Sequence, residues 1–324
     1  MPHLFKFILC GWLQFRTFSM KLVILIAIIA SLFVSNSKAQ DLEPRSLSAT
    51  PTGGNFAVAS GGYSTGNIML DQTMPVEGLN ANLYNFAAAY ARSFKLFNRL
   101  AKFDVIIPYS FANFEGVINS IDSSTTRNGF GDPLFRLSMI LIGAKPMGTS
   151  EFFEHEQNKF KLGASIRIRP PLGQYDPTKL VNLGANRWTL KLGLAGSYTI
   201  QKKLILEGNL NSWFFTENNE FFNGNSLKQK CQLNVQIHVI YVFKPGIWIA
   251  VSTGRDGLGE TVLNGIEQGN IQSNSRFGVA CAYRLNQHNA LKFAFTNGIT
   301  TRYGANFTSI VLAYQFILFD KSRN

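Results

Sequence analysis

Residues 228–243 read KQKCQLNVQIHVIYVF, and from Lys228 onward they alternate in character. Lys228, Lys230, Gln232, Asn234, Gln236 and His238 share one parity; Cys231, Leu233, Val235, Ile237, Val239, Tyr241 and Phe243 share the other. Successive side chains of a strand point to opposite faces, so this run predicts a strand with one polar and one apolar face. The same sorting recurs in FKLGASIRIRP (160–170), WTLKLGLAGSYTI (188–200) and RFGVACAYRL (276–285). Helical periodicity is scarce. About twelve strands follow, over 55–63, 82–97, 102–115, 130–144, 160–172, 187–200, 204–217, 228–243, 247–255, 273–285, 290–298 and 306–319.

The connections fall into two alternating sets. NRLA (98–101), QKK (201–203), KPG (244–246) and NQHN (286–289) are short. Segments 64–81, 117–129, 173–186, 218–227, 256–272 and 299–305 are longer and rich in Gly, Asn, Ser and Thr. One connection breaks the order: 145–159 falls where a short turn is due. An even number of up-and-down strands gathers the short turns and both termini at one end and the long loops at the other. Outer-membrane barrels are arranged this way, with short periplasmic turns and long external loops.

A soluble β-sandwich or lipocalin-like barrel shows the same alternation, because it turns the apolar face inward. Composition helps to choose. The chain is 46% hydrophobic but only 15% charged, against about 25% charged in typical soluble domains. Many strands reach ten residues, the length a tilted strand needs to cross a bilayer. Phe86, Phe94, Phe103, Phe111, Trp188, Tyr198, Tyr241, Phe243, Tyr314 and Phe316 lie near strand ends on the apolar parity, as interfacial girdles require. The expected fold is therefore an all-β, transmembrane, antiparallel up-and-down barrel. Tyr314 and Phe316 also resemble the aromatic C-terminal signal read by the outer-membrane assembly machinery, an expected partner during biogenesis alongside outer-membrane lipid.

Residues 1–39 read as an N-terminal extension and cleaved signal. Lys21 precedes the apolar run Leu22–Val34, and Ser37 and Ala39 are the small residues of a cleavage site. That run is too short for a spanning helix, which needs about 20 residues. Residues 40–324 remain as one barrel domain. Four basic residues and no acid leave with the signal, so the formal charge falls from +12 to +8. A basic, exported chain excludes nucleic acid as a partner and leaves anionic solutes or lipid. Cys231 and Cys281 sit in apolar runs and read as free thiols rather than as a disulfide.

Enzymatic signatures do not appear. There is no His-x-x-x-His and no His-Glu-x-x-His; the one Gly-x-Ser-x-Gly, Gly62 to Gly66, runs from a strand into a polar loop, whereas a nucleophile elbow leads into a helix. The His-x-Ser arrangement that a lipid-hydrolysing barrel would need does not occur either. The stretch NGFGDPLFRLSMILIGAKP (128–146) opens like a phosphate loop. A P-loop needs Gly-Lys-Ser/Thr and a following helix, whereas Pro133 and an alternating strand follow here. No cofactor is expected.

If the apolar parity meets lipid, the other parity lines a lumen. It places Asp104, Asp132, Arg136, Arg167, Arg169, Lys191, Glu207, His238, Arg276 and Arg284 inside, with Lys95, Lys161, Lys228, Lys230 and Lys292. Asp132 and Arg136 stand four residues apart as a candidate charge pair. Basic residues outnumber acids, and a basic constriction favours anions or weak organic acids. Parity turns Arg92 toward lipid, which predicts a bulge or a register slip near it.

Gly129-Phe130-Gly131-Asp132 opening a strand, KLGASIRIRPPLGQYDPTKLVNLGANRW (161–188) running through a Pro-Gly bend, and Gly/Asn-rich strands to the C-terminus resemble one outer-membrane family. That family is labelled "putative MetA-pathway of phenol degradation". The resemblance covers nearly all of residues 40–324 and implies a monomeric barrel that admits hydrophobic or aromatic compounds. The 145–159 connection departs from the family pattern. The expected function is an outer-membrane channel for passive passage of small organic molecules, aromatic or anionic. A barrel plugged by its own side chains, serving structure or adhesion, is the alternative, since twelve strands fall between the filled barrel of about eight and the open pore of about sixteen.

Overall fold

The computed structural model describes residues 42–69, 76–155 and 158–320. The expected signal segment, 1–39, lies outside the described residues. The strands are β1 (Gly54–Met69), β2 (Val76–Leu96), β3 (Arg99–Ile118), β4 (Ile121–Phe130), β5 (Leu134–Ile142) and β6 (Phe160–Arg169). Next come β7 (Thr189–Ile200), β8 (Leu204–Phe215), β9 (Asn218–Phe221), β10 (Asn225–Gln229), β11 (Gln232–Lys244) and β12 (Ile247–Leu258). The last are β13 (Thr261–Leu263), β14 (Ile266–Glu267), β15 (Gln272–Arg284), β16 (Asn289–Thr300) and β17 (Gly304–Phe319). A single short helix among the described residues, α1 (Thr149–Glu154), lies between β5 and β6.

β1 pairs with β2 on one side and with β17 on the other, from Gly54↔Phe319 to Met69↔Gly304. This closes a ring of twelve strands in the order β1, β2, β3, β5, β6, β7, β8, β11, β12, β15, β16, β17. Closure removes the unpaired edges that an open sheet would expose to lipid. β3 pairs with β5 through Leu100–Ile106 and with β4 through Tyr109–Ile118. Thus β4 and β5 are one long strand, bent at 131–133.

The two parities face as the sequence predicts. Val235 is 48% exposed, while Gln236 beside it is 1% exposed. Leu192, Leu194, Ile166, Ile168 and Phe277 are likewise exposed on the outer surface. Rings on this surface meet both across and along strands. Phe86, Tyr109, Phe111 and Phe130 form edge-to-face contacts toward the long-loop end, and Tyr241 and Phe243 do so toward the short-turn end. Cys231 and Cys281 are free and half-buried.

Three expectations need correction. Segment 117–129 is not a long loop. β3 and β4 continue into it and turn at Asn119-Ser120, whose φ values of 50° and 64° are those of a tight two-residue hairpin turn. Phe97-Asn98 (46°, 60°) turn in the same way at the opposite end, and Gln201-Lys202 (49°, 61°) begin a three-residue turn there between Ile200 and Leu204. Second, 218–229 and 261–267 fold into a small sheet of their own, ordered β14-β13-β10-β9. Lys228 lies on that sheet, and Lys230 beside it meets Glu260 at 2.8 Å and Glu267 at 2.5 Å, so neither lysine reaches the lumen. Third, no bulge surrounds Arg92. It pairs in unbroken register with Asn55 and Phe103, and its guanidinium reaches Asp320 at 2.6 Å. A long cationic side chain near a strand end can reach the polar rim without bending the strand.

Candidate functional site

One lumen row runs in register around half of the barrel: Asp104 on β3, Arg136 on β5, Arg167 on β6, Lys191 on β7, Trp213 on β8 and Gln232 on β11. Nearer the short turns lies a second row, Ser197 on β7, Glu207 on β8, His238 on β11 and Ser252 on β12. Three adjacent cations on neighbouring strands, all largely out of solvent, need a counter-charge. Asp104 supplies part of it, accepting from Arg136 Nε at 2.6 Å and lying 3.5 Å from Lys102 Nζ.

The rest comes from outside the sheet. Residues 42–53 precede β1 and turn into the lumen. The Glu43 carboxylate accepts from Arg136 Nη1 at 2.8 Å, from Lys191 Nζ at 3.3 Å and from Arg167 Nη2. The Glu43 amide donates to Gln236 Oε1 at 3.1 Å. Ser46 donates from its amide and its hydroxyl to Glu207 Oε1, at 2.9 and 2.8 Å. Leu47 packs in a buried cluster with Leu100, Ile140 and Ala144.

Small lumen residues make room for this segment. A Cβ on Gly163 would stand 2.4 Å from Leu47 Cδ2, and one on Gly254 or Gly278 would stand 2.9 Å from Leu42. At the short-turn rim the segment is fastened again. Thr52 donates from its amide and hydroxyl to the Met147 carbonyl, at 2.8 and 3.0 Å, and Ser93 Oγ donates to the Pro51 carbonyl at 2.6 Å. The long 145–159 connection thus holds the root of the inserted segment.

The segment divides the lumen. Toward the long loops is a chamber of about 400 Å³, lined by Glu43, Arg167, Arg169, Arg187, Lys191, Trp213, Phe215 and Arg276 among others. Toward the short turns is a chamber of about 540 Å³, lined by Arg45, Lys102, Phe152, Phe153, Lys161, Trp248 and Lys292 among others. Against β5–β8 and β11 the segment leaves a gap of about 40 Å³, bounded by Glu43, Ser46, Leu47 and Arg136 with residues of the wall. In the outer chamber Trp213 and Phe215 lie nearly parallel, 5° apart with centroids at 6.5 Å. Lys191 Nζ sits 5.0 Å from the Trp213 ring, and the Arg187 guanidinium 4.4 Å from Phe215. Burial lowers the Arg187 pKa to about 10, which leaves it cationic at neutral pH.

The other expected site residues take distinct places. His238 is fully buried in the wall. Its Nε2 faces the Asn209 amide nitrogen at 3.1 Å and its Nδ1 faces Ser252 Oγ at 2.8 Å. An amide NH₂ can only donate, so Nε2 accepts and Nδ1 carries the proton. Arg169 and Arg276 line the outer chamber. Arg284 stands at the short-turn rim and donates to the carbonyls of Asn286 and Gln287, each at 3.0 Å, bracing that turn. Lys95 is exposed near the same rim.

Asp132 and Arg136 do not pair. Arg136 is taken by Asp104 and Glu43. Asp132 accepts instead from the amides of Gly173 and Ala185, both at 2.8 Å. It therefore pins the 170–188 loop to the bend between β4 and β5. A Cβ on Gly173 would stand 2.6 Å from the Asp132 amide nitrogen, so the close approach needs glycine there. The two motifs GFGD and PPLG…NLGANRW, far apart in sequence, are one structural joint. Among the described residues no group of three or more His, Cys, Asp or Glu is placed to hold a metal ion.

A closed twelve-strand barrel with an apolar outer surface and a polar lumen is the architecture of an outer-membrane β-barrel. The model of the family "Putative MetA-pathway of phenol degradation" matches residues 50–313, and the chain belongs to that family. Among solved structures it is similar to the COG4313 outer membrane channel from Pseudomonas putida F1. There the TM-score is 0.71 at 17% identity, over 86% of this chain and 100% of that one. The CymD monoaromatic hydrocarbon channel matches with a TM-score of 0.41 at 7% identity, over 85% of this chain and 90% of that one. No curated protein matches the sequence.

Proposed function

We propose that residues 40–324 form a monomeric outer-membrane channel for passive passage of small organic solutes, with residues 42–53 as its internal gate. The observation that carries this reading is the pair of chambers, about 400 and 540 Å³, parted by a short chain segment rather than by the sheet. Both chambers carry aromatic and cationic side chains, a lining suited to small aromatic or anionic solutes. Family membership supports the same class, and so does the likeness in fold to the COG4313 outer membrane channel. The chain works by diffusion and needs no cofactor or catalytic group. Its contacts are lipid, the solutes and, during insertion, the assembly machinery.

A second reading has a specific observation in its favour. The gap of about 40 Å³ that residues 42–53 leave against β5–β8 and β11 is too small for an organic solute. A permanently sealed structural barrel would look the same. Liposome swelling separates the two. Proteoliposomes should swell in benzoate and in neutral aromatic solutes faster than protein-free liposomes do. Swelling no faster than the protein-free control in every solute would favour the sealed barrel.

A further inference from the structure

The seat of the Glu43 carboxylate has the composition of a ligand site. Its three cations come from consecutive strands of the rigid wall, whereas the carboxylate they bind comes from a segment outside the sheet. Arg136 is oriented independently by Asp104, at 2.6 Å, and Lys191 rests against Trp213, so two of the three cations have a support besides Glu43. Glu43, Arg167 and Lys191 all line the outer chamber, so this seat forms part of that chamber's wall. Beside the seat stand the parallel rings of Trp213 and Phe215, a flat apolar wall within reach of the cations.

We infer that this seat is a binding site for the carboxylate of a small aromatic acid, and that the acid opens the gate by taking the place of Glu43. The inference rests on the channel reading above and names the solute class of that same lumen. Its physical basis is charge compensation. Withdrawing Glu43 with no replacement leaves Arg136, Arg167 and Lys191 crowded in a poorly solvated wall, which is costly. Withdrawing it while another carboxylate arrives keeps the cations compensated. The segment-out state therefore binds the acid better than the segment-in state, and a ligand shifts an equilibrium only through such a difference in affinity. A carboxylate supplies the charge, and an aromatic ring gains the Trp213–Phe215 wall. A neutral aromatic gains only the second.

The test uses the full-length protein in detergent, with benzoate and its neutral counterpart benzyl alcohol as titrants in calorimetry. Glu43→Gln removes the internal competitor and should tighten benzoate binding by about tenfold, the effect of one modest charge interaction. Benzyl alcohol should bind both proteins alike. The double variant Glu43→Gln/Lys191→Gln should lose most of the gain. Equal benzoate affinity in wild type and Glu43→Gln, or an equal gain for benzyl alcohol, would overturn the inference. Bilayer recordings need no variant: benzoate should raise the open probability of the wild-type protein where benzyl alcohol does not, and an open probability that benzoate leaves unchanged or lowers would count against it. The two readings fail separately. Glu43-dependent benzoate binding in a protein that never conducts would refute the channel and keep the site. Conduction with Glu43-independent binding would do the reverse.

Discussion

The two chambers of the lumen are both basic, yet the inserted segment closes them in different ways. On the outer side it is held by charge, through Glu43 against Arg136, Arg167 and Lys191. On the inner side it is held by shape and backbone, through Leu47 in its cluster and Thr52 on the Met147 carbonyl. Charge contacts can be exchanged for those of a solute, whereas packing contacts have no substitute in a small acid. In the proposed gate the outer half is therefore the responsive part and the inner half the anchor.

The comparison can be broken most strongly from the inner side. Gly163→Leu places a side chain where Leu47 Cδ2 now stands, 2.4 Å from the Cβ position. Conductance in planar bilayers should rise several-fold, and adding Leu47→Ala to the same chain should restore part of the closure. Leu47→Ala alone should loosen the segment by roughly 2 kcal/mol or more, as truncating a buried leucine does, and should appear as more frequent openings. If Gly163→Leu conducts like wild type, the packing half of the comparison is wrong.

A smaller effect is expected at the outer rim. Asp132→Asn keeps the shape but replaces a carboxylate that accepts two amide hydrogen bonds, at a cost of about 1–2 kcal/mol. Cleavage of the 173–186 region by protease added to intact liposomes should accelerate, with barrel heat-modifiability on a gel unchanged. Unaltered cleavage would mean that the joint does not depend on Asp132. The smallest effect belongs to Arg92→Ala. It removes an exposed ion pair with Asp320, and such pairs contribute little because solvent screens them. Unfolding in urea should shift little, and neither chamber should respond. A large loss of stability would show that closure of β1 on β17 leans on this pair.

Much of the wall was legible in the sequence because lipid imposes strict alternation, as 228–243 and 160–170 show. What lies beyond the bilayer escaped. Ile121–Phe130 reads IDSSTTRNGF and has no apolar alternation between its two ends, so a strand there looks like a polar loop. The small sheet of 218–229 and 261–267 was hidden for the same reason. Glu43 lies in no periodic run, and nothing local marks it. The one available signal was collective: a lumen list holding Arg136, Arg167, Arg169, Lys191 and Arg276 against few acids requires a counter-charge, and the chain just before the first strand supplies one. Arg92 and Asp132 show the limit of parity. It gives the face of a side chain correctly and says nothing of the partner, which for Arg92 is a residue at the far end of the chain and for Asp132 is a backbone.

The most direct test of the gate is single-channel recording of the intact protein beside a chain lacking residues 42–50. With the segment removed the two chambers become one passage, and the account predicts steady conductance several-fold above the intact protein, with anion preference set by the uncovered cations. Equal conductance in the two proteins, or silence in both, would contradict it.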